Sequence, residues 1–338
     1  MPRIGPKRVA TFIEPFKVRP GSKVRLGRDF DTGPSQKVQR DEAKRLLRAG
    51  VEMLADYQAR LAAQDTQGLL VVLQAMDAAG KDGTIRHVMS GVNPQGVRVN
   101  SFKVPSSTDL DHDYLWRYAQ KLPARGDIGI FNRSYYEEVL VVRVHPSILD
   151  AQKLPPRSRK GDIWQRRFRE INDWEHYISD QGFRIVKIFL NLGNEEQRRR
   201  FLSRIDEPEK NWKFSANDAK ERTFWDDYQK AFSDVLSNTS TDWAPWYVIP
   251  ADDKPFARVA AAAVLVNALI EMDPRYPRAS KEAREALQAA KIDLEAQAPK
   301  GARPDPNESE AEATDTSDRS KKKSRKRDRA DGEDGGDR

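Results

Sequence analysis

Residues 69–84 constrain the fold more than any other stretch. A run of apolar residues, Leu69-Leu70-Val71-Val72-Leu73-Gln74, leads directly into Ala75-Met76-Asp77-Ala78-Ala79-Gly80-Lys81-Asp82-Gly83-Thr84. Such a run, bounded by small residues, reads as a strand buried on both faces. A small-residue turn that ends in Gly-Lys and opens a helix is built to receive phosphate. Backbone N–H groups of the turn and of the helix N-terminus face the anion, and the lysine neutralises it. The candidate phosphate contacts are Ala78, Ala79, Gly80, Lys81, Gly83, Thr84 and Arg86. Ala75 stands where the first glycine of such a loop belongs, and Asp82 stands where Ser or Thr would hold magnesium. Asp77 lies inside the cradle. An acid there repels phosphate unless a divalent cation sits between them, so Asp77 and Asp82 are candidate metal ligands. The plainer alternative is a strand-to-helix turn without a ligand; the buried strand and the spacing favour phosphate.

Three more apolar runs, at 128–131, 185–190 and 246–249, read as buried strands, and a weaker alternating one lies at 97–102. Between them, Trp164, Phe168, Ile171, Trp174 and Ile178 recur at helical spacing, as do Leu46, Leu47, Val51, Leu54 and Leu61. Doubly apolar strands alternating with helices predict an α/β fold, a parallel sheet with helices on both faces. The strand at 128–131 runs into Asn132-Arg133. Arg133 is thereby expected over the C-terminal edge of the sheet, where ligands bind in open α/β folds, and could clamp a migrating phosphoryl group.

The formal net charge is +7, and the eleven basic and eleven acidic residues of 300–338 cancel, so the rest of the chain carries the excess. A basic folded region suggests a polyanionic partner. Basic residues cluster at 153–169 and again at Arg198-Arg199-Arg200, Arg204, Lys210, Lys213 and Arg222. The second cluster is the expected lid, and closing it would exclude water from a phosphoryl transfer. The chain divides into a basic arm (1–30), a phosphate-loop domain (31–297) and a charged tail (298–338). The tail is too poor in apolar residues to offset the entropy of ordering and is expected to be disordered. Its basic run at 321–327 is cancelled by flanking acids, so no specific nucleic-acid partner is expected. The absence of cysteine rules out disulfides, thiol catalysis and zinc–thiolate sites. The four histidines are scattered, without metal-ligand spacing. No stretch approaches the ~18 consecutive apolar residues of a membrane span, and the arm lacks a signal-like run. The expectation is a cytoplasmic protein with no membrane partner.

The loop Ala75-Met76-Asp77-Ala78-Ala79-Gly80-Lys81-Asp82-Gly83-Thr84-Ile85-Arg86, followed by Asn93-Pro94-Gln95-Gly96, resembles that of the family-2 polyphosphate kinases. So do Phe131-Asn132-Arg133-Ser134-Tyr135-Tyr136-Glu137, Asn211-Trp212-Lys213-Phe214 and Ala244-Pro245-Trp246-Tyr247-Val248-Ile249-Pro250-Ala251. The resemblance spans roughly residues 12–272. It implies a thymidylate-kinase-like P-loop fold with a helical lid near 200–230, Mg2+ (or Mn2+), inorganic polyphosphate as donor and AMP, ADP and ATP as nucleotides, in a homodimer or homotetramer. By position it implies catalytic roles for Asp77, Lys81 and Asp82 in the Walker A-like loop and for Arg133 in the Walker B-like motif. It also implies nucleotide or phosphate contacts at Asn132 and Tyr136, and polyphosphate contacts at Arg199, Arg204, Lys210 and Lys213 of the lid. Many members carry aspartate where Asn132 stands. The asparagine shifts the metal to Asp77 and Asp82 and is similar to the subgroup that phosphorylates both AMP and ADP. The expected chemistry is direct in-line transfer. An ATP-dependent kinase and a nucleic-acid-binding protein with a vestigial P-loop are the alternatives.

Overall fold

The computed structural model describes residues 5–34 and 38–299. Except for its first two residues, the charged tail predicted from 298 lies outside the described residues. In chain order the main elements are α1 (Pro6–Ile13), α2 (Arg40–Gln64), β1 (Gly68–Ala75), α3 (Lys81–Val88), β2 (Val97–Ser101), β3 (Ile128–Asn132), α4 (Ile163–Asp180), β4 (Phe183–Asn191), α5 (Asn194–Asp206), α6 (Trp225–Thr239), β5 (Trp246–Pro250), α7 (Lys254–Met272) and α8 (Lys281–Ala296).

The five strands form one parallel sheet in the order β2-β3-β1-β4-β5. Successive strand residues face opposite ways, and the two sets build two cores. Leu69, Val71 and Leu73 join Leu54 and Leu61 of α2 and the apolar side chains of α7, whereas Leu70 and Val72 join Phe168 and Ile171 of α4 and Phe232 and Val235 of α6. The apolar runs therefore lack alternation because both faces are covered. β2 is an edge strand and mostly exposed, which explains its weaker pattern. From β1 the chain turns to β2 and β3 on one side, and from β4 it turns to β5 on the other. The switch point falls between the C-terminal ends of β1 and β4, where α/β sheets open a crevice for ligands.

α7 is long and apolar enough to cross a membrane by length and composition, yet 67% of its most apolar window is buried in the protein. It is the helix on which α1, α2 and α3 pack.

Two expected boundaries move. The basic arm is integral to the compact unit: Val9 and Ile13 of α1 are buried, and Val18 donates its N–H to Trp246 O at 2.9 Å beside the edge of β5. Asn191, at the end of β4, holds Phe30 O and Asp31 O at 3.1 Å each. Its scattered apolar residues fill core positions that its basic, proline-rich composition hides. The other boundary, expected at 297, falls at Pro277; α8 belongs to a second unit that begins at Arg278. All of α8 is exposed, and Ser280 caps it by accepting Ala283 N–H at 3.1 Å.

Candidate active site

The turn after β1 reverses through two left-handed residues, Ala78 (φ 63°) and Gly80 (φ 100°). Gly80 is the N-cap of α3 and offers no side chain to its first N–H groups, so these are left to face a ligand. Lys81 Nζ reaches back to Ala75 O at 3.0 Å. The loop is braced from α5. The buried Arg200 donates to Ala78 O (3.1 Å) and Ala79 O (3.0 Å), and also to Ala251 O (2.6 Å) and Asp252 O (3.0 Å) beyond β5. Gln197 Nε2 holds Asp77 O at 3.0 Å. Sequence reasoning missed both roles. The one hint for Arg200 was Glu196 four residues earlier, its ion-pair partner at 2.8 Å.

β3 delivers the second half of the site. Arg133 also takes a left-handed conformation (φ 64°), unusual for a large side chain. Its Nη2 lies 3.1 Å from Asp77 Oδ1 and its Nη1 3.8 Å from Glu137 Oε2. Asn132 donates Nδ2–H to Asp82 Oδ1 at 2.7 Å and to Ser101 Oγ at 3.3 Å. The charges feel one another. Burial, then the Arg133 guanidinium, push the Lys81 pKa down, against the pull of Asp77, Glu137 and Asp82. Burial works against the charge of Arg133 as well, but the carboxylates of Glu137 and Asp77 outweigh it and raise its pKa. Burial raises the Glu137 pKa, with Arg133 and Lys81 opposing. The sequence showed Glu137 only as part of a motif; its place facing both cations needs the turn at Tyr135–Val139 to be known.

Tyr136 is corrected. It is fully buried, and its hydroxyl donates to Glu175 Oε1 at 2.9 Å and accepts from Lys187 Nζ at 2.9 Å, so it is not free to touch a nucleotide. Tyr135 donates to the same Glu175 oxygen at 2.6 Å, and Lys187 Nζ lies 2.6 Å from Glu175 Oε2. This buried cluster anchors the turn that carries Glu137 and follows Arg133. Thr84 is also buried, with its N–H spent on Gly80 O at 2.9 Å.

A cleft of about 560 Å³ opens beside the loop, lined by Asp77, Arg133, Glu137 and, across from them, Lys220, Glu221 and Arg222. The last group follows α5 and includes the short helix Ala216–Glu221. Glu221 spans the cleft to His145 Nε2 at 2.9 Å and accepts from Tyr228 OH at 3.0 Å. Arg222 ties this segment to Gln197 Oε1 at 2.7 Å. Of the predicted lid cations, Arg222 lines the cleft, whereas Arg199, Arg204, Lys210 and Lys213 do not. Arg199 pairs with Glu195 and Glu196, Arg204 with Asp218, and Lys210 with Glu207, while Lys213 sits over the Trp212 ring. Arg86 is exposed on α3.

Among the described residues no group of three or more His, Cys, Asp or Glu side chains could by itself hold a metal ion. The donor set still suits Mg2+, which takes one or two carboxylates and completes its shell with water and substrate phosphates. Asp77 and Asp82 supply hard oxygen donors on either side of Lys81.

A parallel sheet, a phosphate loop between β1 and α3, an arginine facing it from β3 and helices over the cleft define a P-loop phosphotransferase. The Polyphosphate kinase 2 family model matches residues 37–277. The chain is 50% identical over 273 residues to the ADP-polyphosphate phosphotransferase of Rhodopseudomonas palustris, covering 80% of this chain and 94% of that one. It is 42% identical over 267 residues to the AMP/ADP-polyphosphate phosphotransferase of Meiothermus ruber, covering 79% and 96%. The crystal structure of Polyphosphate Kinase 2 from Arthrobacter aurescens superposes with a TM-score of 0.72 at 37% identity, over 85% of this chain and 98% of that one. The chain belongs to the Polyphosphate kinase 2 family and is a phosphate-transferring enzyme.

Proposed function

We propose that this enzyme moves the terminal phosphoryl group of inorganic polyphosphate onto AMP and ADP, giving ADP and ATP, with Mg2+ bound. The observation that carries the reading is the convergence of Lys81, from the phosphate loop, and Arg133, from the end of β3, on the carboxylates of Asp77 and Glu137 at the mouth of one cleft. Phosphoryl transfer needs positioning and charge stabilisation more than covalent chemistry. The α3 N-terminus and Lys81 hold the phosphoryl group from the loop side. Arg133 faces it from the acceptor side, its guanidinium held in place by Asp77 and Glu137. Magnesium would neutralise charge on the phosphate oxygens, held by Asp77 and Asp82. The Asn132 amide, by donating to Asp82, orients that carboxylate without adding a second acid, which supports a metal held from the loop and not from residue 132. The lid segment, tied through Glu221 to His145, covers the acceptor and keeps water from competing.

The test is direct. Purified protein is given Mg2+ and long-chain polyphosphate with AMP or ADP separately, and the nucleotides are resolved by chromatography. ADP and ATP from AMP are expected. Product from ADP alone would restrict the acceptor. Failure with both, in a preparation that uses ATP as donor, would overturn the donor assignment.

A further inference from the structure

Three consecutive carbonyls of the phosphate loop are turned to α5. Asp77 O accepts from Gln197 Nε2, and Ala78 O and Ala79 O accept from Arg200. The peptides are trans, and across a trans peptide the N–H points opposite to the carbonyl. These bonds therefore turn the N–H groups of Ala78 and Gly80 away from α5. The loop also contains the left-handed Ala78, a conformation that persists only where its surroundings compel it. The other end of the Gln197 amide reaches the lid. Its Oε1 accepts from Arg222 Nη1 at 2.7 Å, and Arg222 also donates to Asn194 O at 3.0 Å and Asn194 Oδ1 at 2.5 Å in the first turn of α5. The orientation of the amide is fixed by its partners, because a guanidinium only donates and a carbonyl only accepts. Gln197 is buried, where a polar group left without its partner is costly. Among the described residues no other side chain hydrogen-bonds to both the phosphate loop and the segment 216–224.

We propose that Gln197 is a positioning residue that couples the lid to the phosphate loop. With Arg222 in place, the amide holds the Asp77 carbonyl and so aims the Ala78 N–H; with Arg222 withdrawn, that hold is released. An acceptor bound under the lid thereby tightens the loop on the donor, and by linkage the donor tightens the acceptor to the same degree. The loop is then complete only beneath a closed lid, the state in which water is excluded. The proposal rests on the cleft holding the acceptor nucleotide and the loop holding the donor phosphate.

The test uses the full chain with Mg2+, ADP and a methylene-bridged triphosphate whose terminal group cannot transfer. In the wild type the analogue should tighten ADP binding about fivefold or more, read by calorimetric titration. Gln197→Glu keeps an acceptor for Arg222 but has no N–H for Asp77 O. It should bind ADP alone within about twofold of wild type, because the lid contact survives. It should lose the tightening by the analogue and turn over about tenfold or more slowly. Gln197→Leu removes both bonds; it should lose the tightening, turn over as slowly as the Glu variant and also bind ADP alone more weakly. A Glu variant that keeps the tightening, or a wild type that shows none, would overturn the coupling, since a purely structural glutamine would lower stability and turnover and leave the tightening in place. If the wild type shows the tightening yet makes no ATP from polyphosphate and ADP, the donor reading falls and the coupling stands.

Discussion

The cations at the phosphate loop and those of the lid are held in opposite ways. Lys81 and Arg133 sit in a half-buried cluster with Asp77 and Glu137, and Arg133 adopts a left-handed backbone to be there. Arg199 and Arg198, on the outer face of α5, are more than half exposed and share Glu195 within a turn of their own helix. Burial makes the first group's placement costly, so it persists only because the surrounding structure compels it. The second group pairs as any solvated helix face does, with acids three and four residues away. A run of arginines in a sequence is thus weak evidence of a polyanion site; what counts is whether the fold has already supplied the counter-charge.

The sharpest way to break this comparison is Lys81→Ala. Its ammonium stabilises the migrating group and makes one bond to the protein, to Ala75 O. Turnover should fall by about 10³ or more, while the urea midpoint stays close to wild type, because removing the lysine also relieves its repulsion with Arg133. A variant with more than a tenth of wild-type turnover would mean that the buried cluster is structural.

Much of this was legible beforehand. Four strands, the parallel sheet and the loop follow from runs of residues apolar on both faces and from a Gly-Lys pair at the right distance, whereas the edge strand β2 shows only as a weak alternation. Asp77, Lys81, Asp82, Asn132 and Arg133 meet because the two strands that carry them are neighbours, an adjacency that sheet topology fixes and spacing suggests. What stayed hidden depends on partners distant in sequence. Arg200 looks like its neighbours Arg198 and Arg199, but only its side of α5 faces the carbonyls of Ala78 and Ala79. Tyr136 sits in a site motif but turns into the core, because Glu175 and Lys187, from α4 and β4, await its hydroxyl. The arm's Val9, Ile13 and Val18 are too few and too spread out to register as a pattern, yet each fills a core position.

The buried cluster behind Arg133 sharpens the comparison from the side of stability. Lys187 and Glu175 are both fully buried, and burial lowers the lysine's pKa even with the carboxylate 2.6 Å away. Lys187→Met strands the Glu175 charge among Tyr135, Tyr136 and Trp246, and should cost about 3–5 kcal/mol in chemical denaturation. Adding Glu175→Leu should recover much of that loss, since two charges removed together leave neither unpaired. A single variant as stable as wild type would show that water reaches the cluster and that it does not hold the turn at Tyr135–Val139.

The smallest effect belongs to the lid, and it tests the comparison from its weak end. Arg199 is 64% exposed, and its ion pairs, with Glu195 and Glu196, lie on its own helix. Arg198 also holds Glu195 and contributes most to pulling that carboxyl down to about 2, with Arg199 second among the arginines. Loss of Arg199 therefore leaves Glu195 still paired. Arg199→Ala should shift the melting temperature by no more than about 2 °C and change kcat/KM for polyphosphate by less than about twofold. Because the guanidinium already has its counter-charges, a polyanion would have to displace two carboxylates to gain it. A large rise in the KM for polyphosphate on removing Arg199 would show that the lid exchanges its internal pairs for substrate on closing, and would return the lid arginines to the role their clustering suggests.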